Sequence, residues 1–382
     1  MTAPDNTPSK ENQPGKSSRG NPLDVFTPAA RQAHEYTLVE PQGAARLHQN
    51  EGAPLSSEST AELARVVEHA LSRRALNCYP NLRSDSLSQA YADFLGVPEK
   101  NIELTAGSSQ GIALVSLACF APGRRVAVAS PSFSIYEHYA YLNSCEVFRL
   151  ALDPGTMEYR KDVVLSPEAL EADVVMLCTP NNPTGGLLPV AWVRELCDRA
   201  RGLVVVDEAY IEFAGDEGES LASEACVRTN LVVLRTLSKA WGLAGLRVGV
   251  LVAHESLLPV FRAVKPPYSF SFLSEVVAAH VLVNWKGVLA ERVAFTRREC
   301  ESVVRGLSGI PGITLFRSHA NFVCFRHARV KELERVLREE DNILIRVYGS
   351  AGPLANVARV SAWDEASDAR FLVRAQEVLA RA

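Results

Sequence analysis

Short, unbroken apolar runs punctuate the middle of the chain: VAVAS at 126–130, VVMLCT at 174–179, LVVVDE at 203–208, LVVLRT at 231–236 and VGVLVA at 248–253. Runs without polar alternation suit strands covered on both faces, as in a parallel sheet packed between helices. Segments of helical period separate them. Leu63, Val66, Val67, Ala70 and Leu71 recur at 3.6-residue spacing, with Ser59 or Thr60 as the expected N-cap. VAWVRELCDRA follows the run at 174–179 in the same way. This alternation predicts an α/β architecture with a largely parallel sheet.

Beyond about residue 275 the texture changes. A long helical stretch over 274–307 leads to ANFVCFR, then to a helix VKELERVLREE, the runs ILIRV and ARVSAW, and a final helix. The pattern predicts a separate, smaller α+β domain over 273–382, beside a large domain over 61–272. Residues 1–22 are rich in Pro, Ser, Asn and Gly with almost nothing apolar, the composition of a disordered tail. Gly15-Lys16-Ser17 echoes a phosphate-binding loop, but Lys10 stands where that motif needs glycine and no strand precedes it.

Composition narrows the classes. The chain has 382 residues, 47% hydrophobic and 22% charged, with a net charge of -4. That balance is of a soluble globular protein and lacks the basic face of a nucleic-acid binder. No apolar run is long enough to span a bilayer, and the N-terminus lacks the order of a signal peptide. The eight cysteines form no CxxC pair, and several, such as Cys178 and Cys324, lie in strand-like runs. Buried free thiols in a reducing cytoplasm, and no metal site, are expected.

Four segments end buried strands or open helices, where α/β folds place ligands. Lys239 follows the run at 231–235, with Thr236 and Ser238 before it and Arg247 after it, inside a glycine-rich stretch. A solvated loop lysine is the plain alternative, but hydroxyls, glycines and an arginine together suit a phosphate, and a partly desolvated lysine suits Schiff-base chemistry. Asp207 ends LVVVD, with Tyr210 three residues on. A buried aspartate needs a cationic partner. VVVDEA also resembles a magnesium-binding strand, but the GxxxxGK[ST] loop which that reading requires is missing. Asn181-Asn182-Pro183-Thr184-Gly185 is either a plain turn or a donor to a ring oxygen. Gly107, Ser108 and Ser109 open a helical stretch and are either a cap or an anion site.

In this order and spacing, CTPNNPTG, VVVDEAYIEF and RTLSKAWGLAGLRVG resemble the fold-type-I pyridoxal-phosphate enzymes of aminotransferase class I/II, most closely the histidinol-phosphate aminotransferases. The resemblance covers roughly residues 45–380. It implies a large domain built on a mostly parallel seven-stranded sheet flanked by helices, a smaller α+β domain, and a 23–60 arm contributing to the small domain and the dimer. It implies pyridoxal 5′-phosphate bound as a Schiff base to Lys239, which then moves a proton between Cα and C4′. Asp207 would pair with the ring nitrogen, Asn182 and Tyr210 with the ring oxygen, and Phe133 with the ring face. Gly107, Ser108, Ser109, Thr236, Ser238 and Arg247 would hold the phosphate. Tyr79 would reach the phosphate of a partner subunit, making the enzyme a homodimer. Arg359 and Arg346 would bind an anionic amine or amino acid, with Asn50 beside them and 2-oxoglutarate as acceptor.

Departures lie at the substrate end. The Pro-Tyr-x-Pro-Gly segment of histidinol-phosphate enzymes is replaced by FTPAARQAHEYTLVEPQG, and their Asn-Glu-Asn-Pro segment reads Gln49-Asn50-Glu51-Gly52-Ala53-Pro54. The acidic pair after the phosphate-site Gly-Ser is Ser109-Gln110. Decarboxylation of a phosphorylated amino acid, or elimination or cyclisation of a side chain, uses the same cofactor machinery and is the second reading. A non-catalytic ligand sensor is a third, disfavoured by the intact Lys239, Asp207 and Arg247 and by a tail too short for a DNA-binding module.

Overall fold

The computed structural model describes residues 22–33, 40–74 and 76–381; the tail expected over 1–22 lies, apart from Pro22, outside them. The chain forms two compact units, one up to Thr37 and one from Leu38 onward. In the first, Thr27 Oγ1 accepts from the Ala30 amide and caps a short helix Pro28–Gln32.

In the second unit β1 (Ala45–Arg46) is followed by β2 (Ile102–Thr105), β3 (Arg125–Ser130), β4 (Glu146–Ala151), β5 (Val174–Cys178), β6 (Leu203–Asp207), β7 (Leu231–Thr236) and β8 (Gly249–Ala253). The last seven form one sheet in the order β2-β8-β7-β6-β5-β3-β4, parallel except for β8, which runs against both its neighbours. Its five inner strands bury both faces. Val175 and Leu177 of β5 join the core with the helices Asp85–Leu95 and Phe272–Asn284, while Val174, Met176 and Cys178 join the other core with the helix Ser108–Cys119. That is why these runs carry no polar alternation.

Five of the seven strands coincide with the apolar runs. The other two are hidden by charge: Glu103 sits in β2, where Arg262 and Lys265 reach it at 2.8 Å each, and β4 is an exposed edge carrying Glu146 and Arg149. Two expectations are corrected. The N-cap of the helix Ser57–Arg73 is Ser56, whose Oγ accepts from the Ser59 amide, so neither Ser59 nor Thr60 is the cap. The stretch over 274–307 is two helices, Phe272–Asn284 and Lys286–Ser308, bent by 84° at Trp285. There the Trp285 indole N–H donates to Glu62 at 2.9 Å, which ties the bend to the helix Ser57–Arg73.

The C-terminal part carries β9 (Thr314–Phe316), β10 (Phe322–Arg326), β11 (Ile343–Leu344), β12 (Arg346–Val347) and β13 (Val357–Ser361). The antiparallel order β12-β13-β10-β9 packs Val323, Phe325, Ala358 and Val360 against helices that include Val330–Glu340 and Glu365–Leu379. β1 pairs in parallel with β11, so residues just before His48 are anchored on this smaller core. Among the described residues no single helix is long and apolar enough to cross a membrane.

Candidate active site

The sheet topology gathers the chemistry at one edge. β5, β6 and β7 run in parallel, with Cys178 beside Asp207 and Asp207 beside Leu234, so the segments that follow them leave the sheet side by side. These segments carry Asn182, Asp207 to Tyr210, and Lys239. The reversed β8 places Gly249 between Thr105 and Thr236, drawing the 106–109 and 236–238 turns together. A Cβ on Gly249 would lie 2.7 Å from the Arg235 carbonyl oxygen and 2.9 Å from the Ser108 nitrogen, so only glycine permits this approach.

Asp207 is 3% exposed and forms no ion pair with any described residue. Its Oδ2 accepts from the Tyr136 hydroxyl at 2.9 Å and its Oδ1 from the Ala209 amide at 3.1 Å. Burial pushes its carboxyl up to about 6, against the lowering effect of those two donors and of the Lys239 cation. Lys239 Nζ donates to the Gln49 carbonyl at 3.1 Å and lies 5.7 Å from the centre of the Tyr210 ring. Burial, with Arg359 next in weight, brings its amine down to about 8, although Glu51 opposes the shift. Tyr210 Oη accepts from Asn50 Nδ2 at 3.0 Å, which leaves its own proton free to donate; burial raises its pKa and keeps that proton in place.

Asn182 Oδ1 accepts from Arg359 Nη1 at 2.5 Å, and Arg359 Nη2 donates to the His48 carbonyl at 2.5 Å. Arg359 is 7% exposed, has no carboxylate partner among the described residues, and its buried Nε has no partner there. Arg346 stands directly opposite it in the β12–β13 register, exposed and beside the Tyr348 ring. Asn50, buried and with a positive φ of 54°, donates its amide to Ser361 Oγ at 3.0 Å. Its carbonyl accepts from Asn321 at 3.1 Å. Phe133 packs edge-on against Tyr136, ring centres 5.7 Å apart.

The phosphate-side residues also converge. The helix Ser108–Cys119 starts at Gly107, φ 75°, with no side-chain cap. Gln110 instead turns back to accept from the Ala106 amide at 2.7 Å. Thr236 Oγ1 donates to Ser238 Oγ at 2.9 Å, and among the described residues Arg247 reaches only the carbonyls of Ala244 and Ala106, at 3.2 and 3.4 Å. An uncapped helix start, neighbouring hydroxyls and an arginine without a carboxylate form a donor set for a phosphate. A buried aspartate with no ion-paired cation among the described residues completes a match to a phosphorylated, protonated pyridine ring. Tyr79 is not joined to this cluster by any contact among the described residues: it is 75% exposed and stacks on Tyr268, ring centres 4.7 Å apart. Tyr136 and Ser361 line the candidate site yet carried no signal in the sequence, and Gln49 was visible there only as part of a departing segment. Their partners lie 71 to 311 residues away.

The profile of aminotransferase class I and II matches residues 46–373. The chain belongs to the class I and II aminotransferases. It is 34% identical over 325 residues to a histidinol-phosphate aminotransferase of Chlorobium phaeobacteroides, covering 85% of this chain and 88% of that one. Its fold is that of the histidinol-phosphate aminotransferase of Sinorhizobium meliloti, solved with pyridoxal-5′-phosphate: TM-score 0.82, 21% identity, 93% of this chain and 97% of that chain. It is also that of an L-threonine-O-3-phosphate decarboxylase from Porphyromonas gingivalis, with TM-score 0.74, 22% identity and coverage of 87% and 98%. The cofactor of this family is pyridoxal 5′-phosphate, and the donor set at 107–109, 236–238 and Arg247 fits it.

Proposed function

We propose that this chain is a cytoplasmic, homodimeric aminotransferase. It would carry pyridoxal 5′-phosphate on Lys239 and move an amino group from a doubly anionic donor, of the histidinol-phosphate type, to 2-oxoglutarate. The observation that carries the substrate class is the register of Arg346 with Arg359, two cations side by side on one strand pair. When bound, the cofactor supplies an electron sink for the negative charge left on the substrate's Cα.

The chain's own residues do the rest. Asp207, kept ionised by the Tyr136 hydroxyl and the Ala209 amide, would hold the proton on the ring nitrogen. Lys239, with its amine near 8, has an appreciable neutral fraction at physiological pH and so serves as the base that removes the Cα proton and returns it. Tyr210 would donate to the ring oxygen, with Asn50 holding its hydroxyl from the other side. Phe133 would cover a ring face, and Ser108, Ser109, Thr236, Ser238 and Arg247 would hold the phosphate. Arg346 would bind the phosphate of the donor with Arg359 beside it, and Arg359 would bind the α-carboxylate of 2-oxoglutarate, each acting as a charge-assisted donor. Tyr79, exposed in one subunit, would reach the phosphate held by its partner.

The test is a donor screen that includes histidinol phosphate, with 2-oxoglutarate as acceptor. One keto product for each glutamate formed supports the reading. Carbon dioxide release from threonine phosphate, or turnover without an acceptor, would assign the site to the decarboxylase or elimination chemistry instead.

A further inference from the structure

Arg292, on the helix Lys286–Ser308, sends a half-buried guanidinium toward the Lys239 turn without meeting any carboxylate among the described residues. Its Nη2 donates to the Ala53 carbonyl at 2.6 Å and its Nε to the Ala240 carbonyl at 3.3 Å. Burial lowers its pKa. The space it fills exists because two residues lack a Cβ. A Cβ on Gly242, φ 68°, would fall 2.0 Å from Nη2, and one on Gly52 would fall 2.7 Å from Nη2, 3.0 Å from the Lys239 carbonyl oxygen and 3.2 Å from the Gly242 Cα. Gly52 is one of the positions at which the 49–54 segment departs from the histidinol-phosphate pattern, and the structure gives that departure a use.

The two carbonyls belong to the two pieces of chain that meet at Lys239. Ala240 follows the lysine directly. Ala53 ends a segment whose His48 carbonyl accepts from Arg359, whose Gln49 carbonyl accepts from Lys239, and whose Asn50 amide donates to Tyr210. Asn321 and Ser361 hold the middle of this segment, at Asn50; Arg292 holds its far end.

We infer that Arg292 is a positioning residue: it latches the 49–54 segment onto the Lys239 turn, through a gap that Gly52 and Gly242 leave open, and so fixes the Gln49 carbonyl against Lys239. The latch rests on the reading of Lys239 as the cofactor lysine only for its effect on the bound cofactor. Its effect on the backbone stands without the cofactor. A charged donor on a carbonyl is the strong kind of hydrogen bond, and local opening of a segment tracks the loss of such bonds.

The test compares wild type with Arg292→Ala, Arg292→Lys and Gly52→Ala by hydrogen exchange of the 48–55 amides in cofactor-free protein. It also compares the pH midpoint of the visible band of the cofactor-loaded enzymes. Arg292→Ala is expected to speed exchange over 48–55 about tenfold while β6 and β7 keep their wild-type protection, and to move the midpoint. Gly52→Ala, which leaves the arginine in the chain but closes its seat, should do the same. Arg292→Lys should recover part of both effects. Wild-type exchange and an unmoved midpoint in folded Arg292→Ala would overturn the latch. If that variant does not fold, wild-type exchange in Gly52→Ala would overturn it. A wild-type enzyme without a visible band would refute the cofactor reading of Lys239, and the exchange comparison would still decide the latch.

Discussion

Arg346 and Arg359 occupy paired positions across β12 and β13, so two guanidinium-bearing side chains leave the same face of the sheet. Like charges directly opposite one another are unfavourable, and an anion between them reverses the sign. Arg359→Ala should therefore raise the KM of an anionic donor by about a hundredfold, the loss expected for charge-assisted hydrogen bonds, while cofactor occupancy falls far less. Arg346→Ala should raise KM for phosphorylated donors by roughly tenfold and leave 2-oxoglutarate nearly unaffected. Steady-state kinetics with cofactor occupancy read by absorbance check both. Loss of the cofactor in Arg359→Ala would contradict the assignment.

The Tyr136 hydroxyl holds Asp207 from below at 2.9 Å and lowers its pKa against the effect of burial. Tyr136→Phe removes that donor and leaves the ring. The Asp207 pKa should rise, the acid limb of the kcat profile should move to higher pH, and kcat at neutral pH should fall by about tenfold or more, the worth of a hydrogen bond to a charged group. An unshifted acid limb would mean that Asp207 does not depend on Tyr136.

Without cofactor, Asp207 is a buried carboxylate with no ion-paired cation among the described residues. Its pKa lies at about 6 in the folded chain against an ordinary 3.8. Between these values the folded state binds more protons than the unfolded one, so stability from this group is present below pH 3.8 and is lost as pH rises to 6. At neutral pH the cost is on the order of 3 kcal/mol. Asp207→Asn should thus raise the melting temperature of the cofactor-free protein at pH 7, and bind the cofactor weakly with almost no turnover. Equal melting temperatures of cofactor-free wild type and variant would contradict this.

Gly249→Ala should separate the turns that carry Ser108 and Ser238, because the new Cβ meets backbone on two sides. Overpacking of this kind costs about 1–3 kcal/mol. Cofactor affinity should drop by more than stability does, measured by titration of the cofactor-free protein and by thermal melting.

The central strands and the cofactor-side motifs were legible in the sequence because burial on both faces writes unbroken Val/Leu runs, and because each motif ends such a run. β2 was not, since Glu103 interrupts it and only the folded chain shows Arg262 and Lys265 on that carboxylate. Nor was the break at Trp285, where the helical period runs on through the residue and the bend comes from a contact with Glu62. Tyr136 and Arg292 were silent for a related reason. Each acts on a partner brought near by the sheet or by the bent helix, and neither lies in a local pattern. Gly52 was visible only as a departure; the guanidinium beside it explains why a side chain there would clash.

The most direct measurement of the central claim is borohydride reduction of the enzyme loaded with pyridoxal 5′-phosphate, followed by peptide mapping. Hydride converts a Schiff-base C=N into a stable amine and so fixes the cofactor on its lysine. The Schiff-base assignment predicts the label on Lys239 alone, and none in Lys239→Ala. A label on another lysine, or none in wild type, would contradict it.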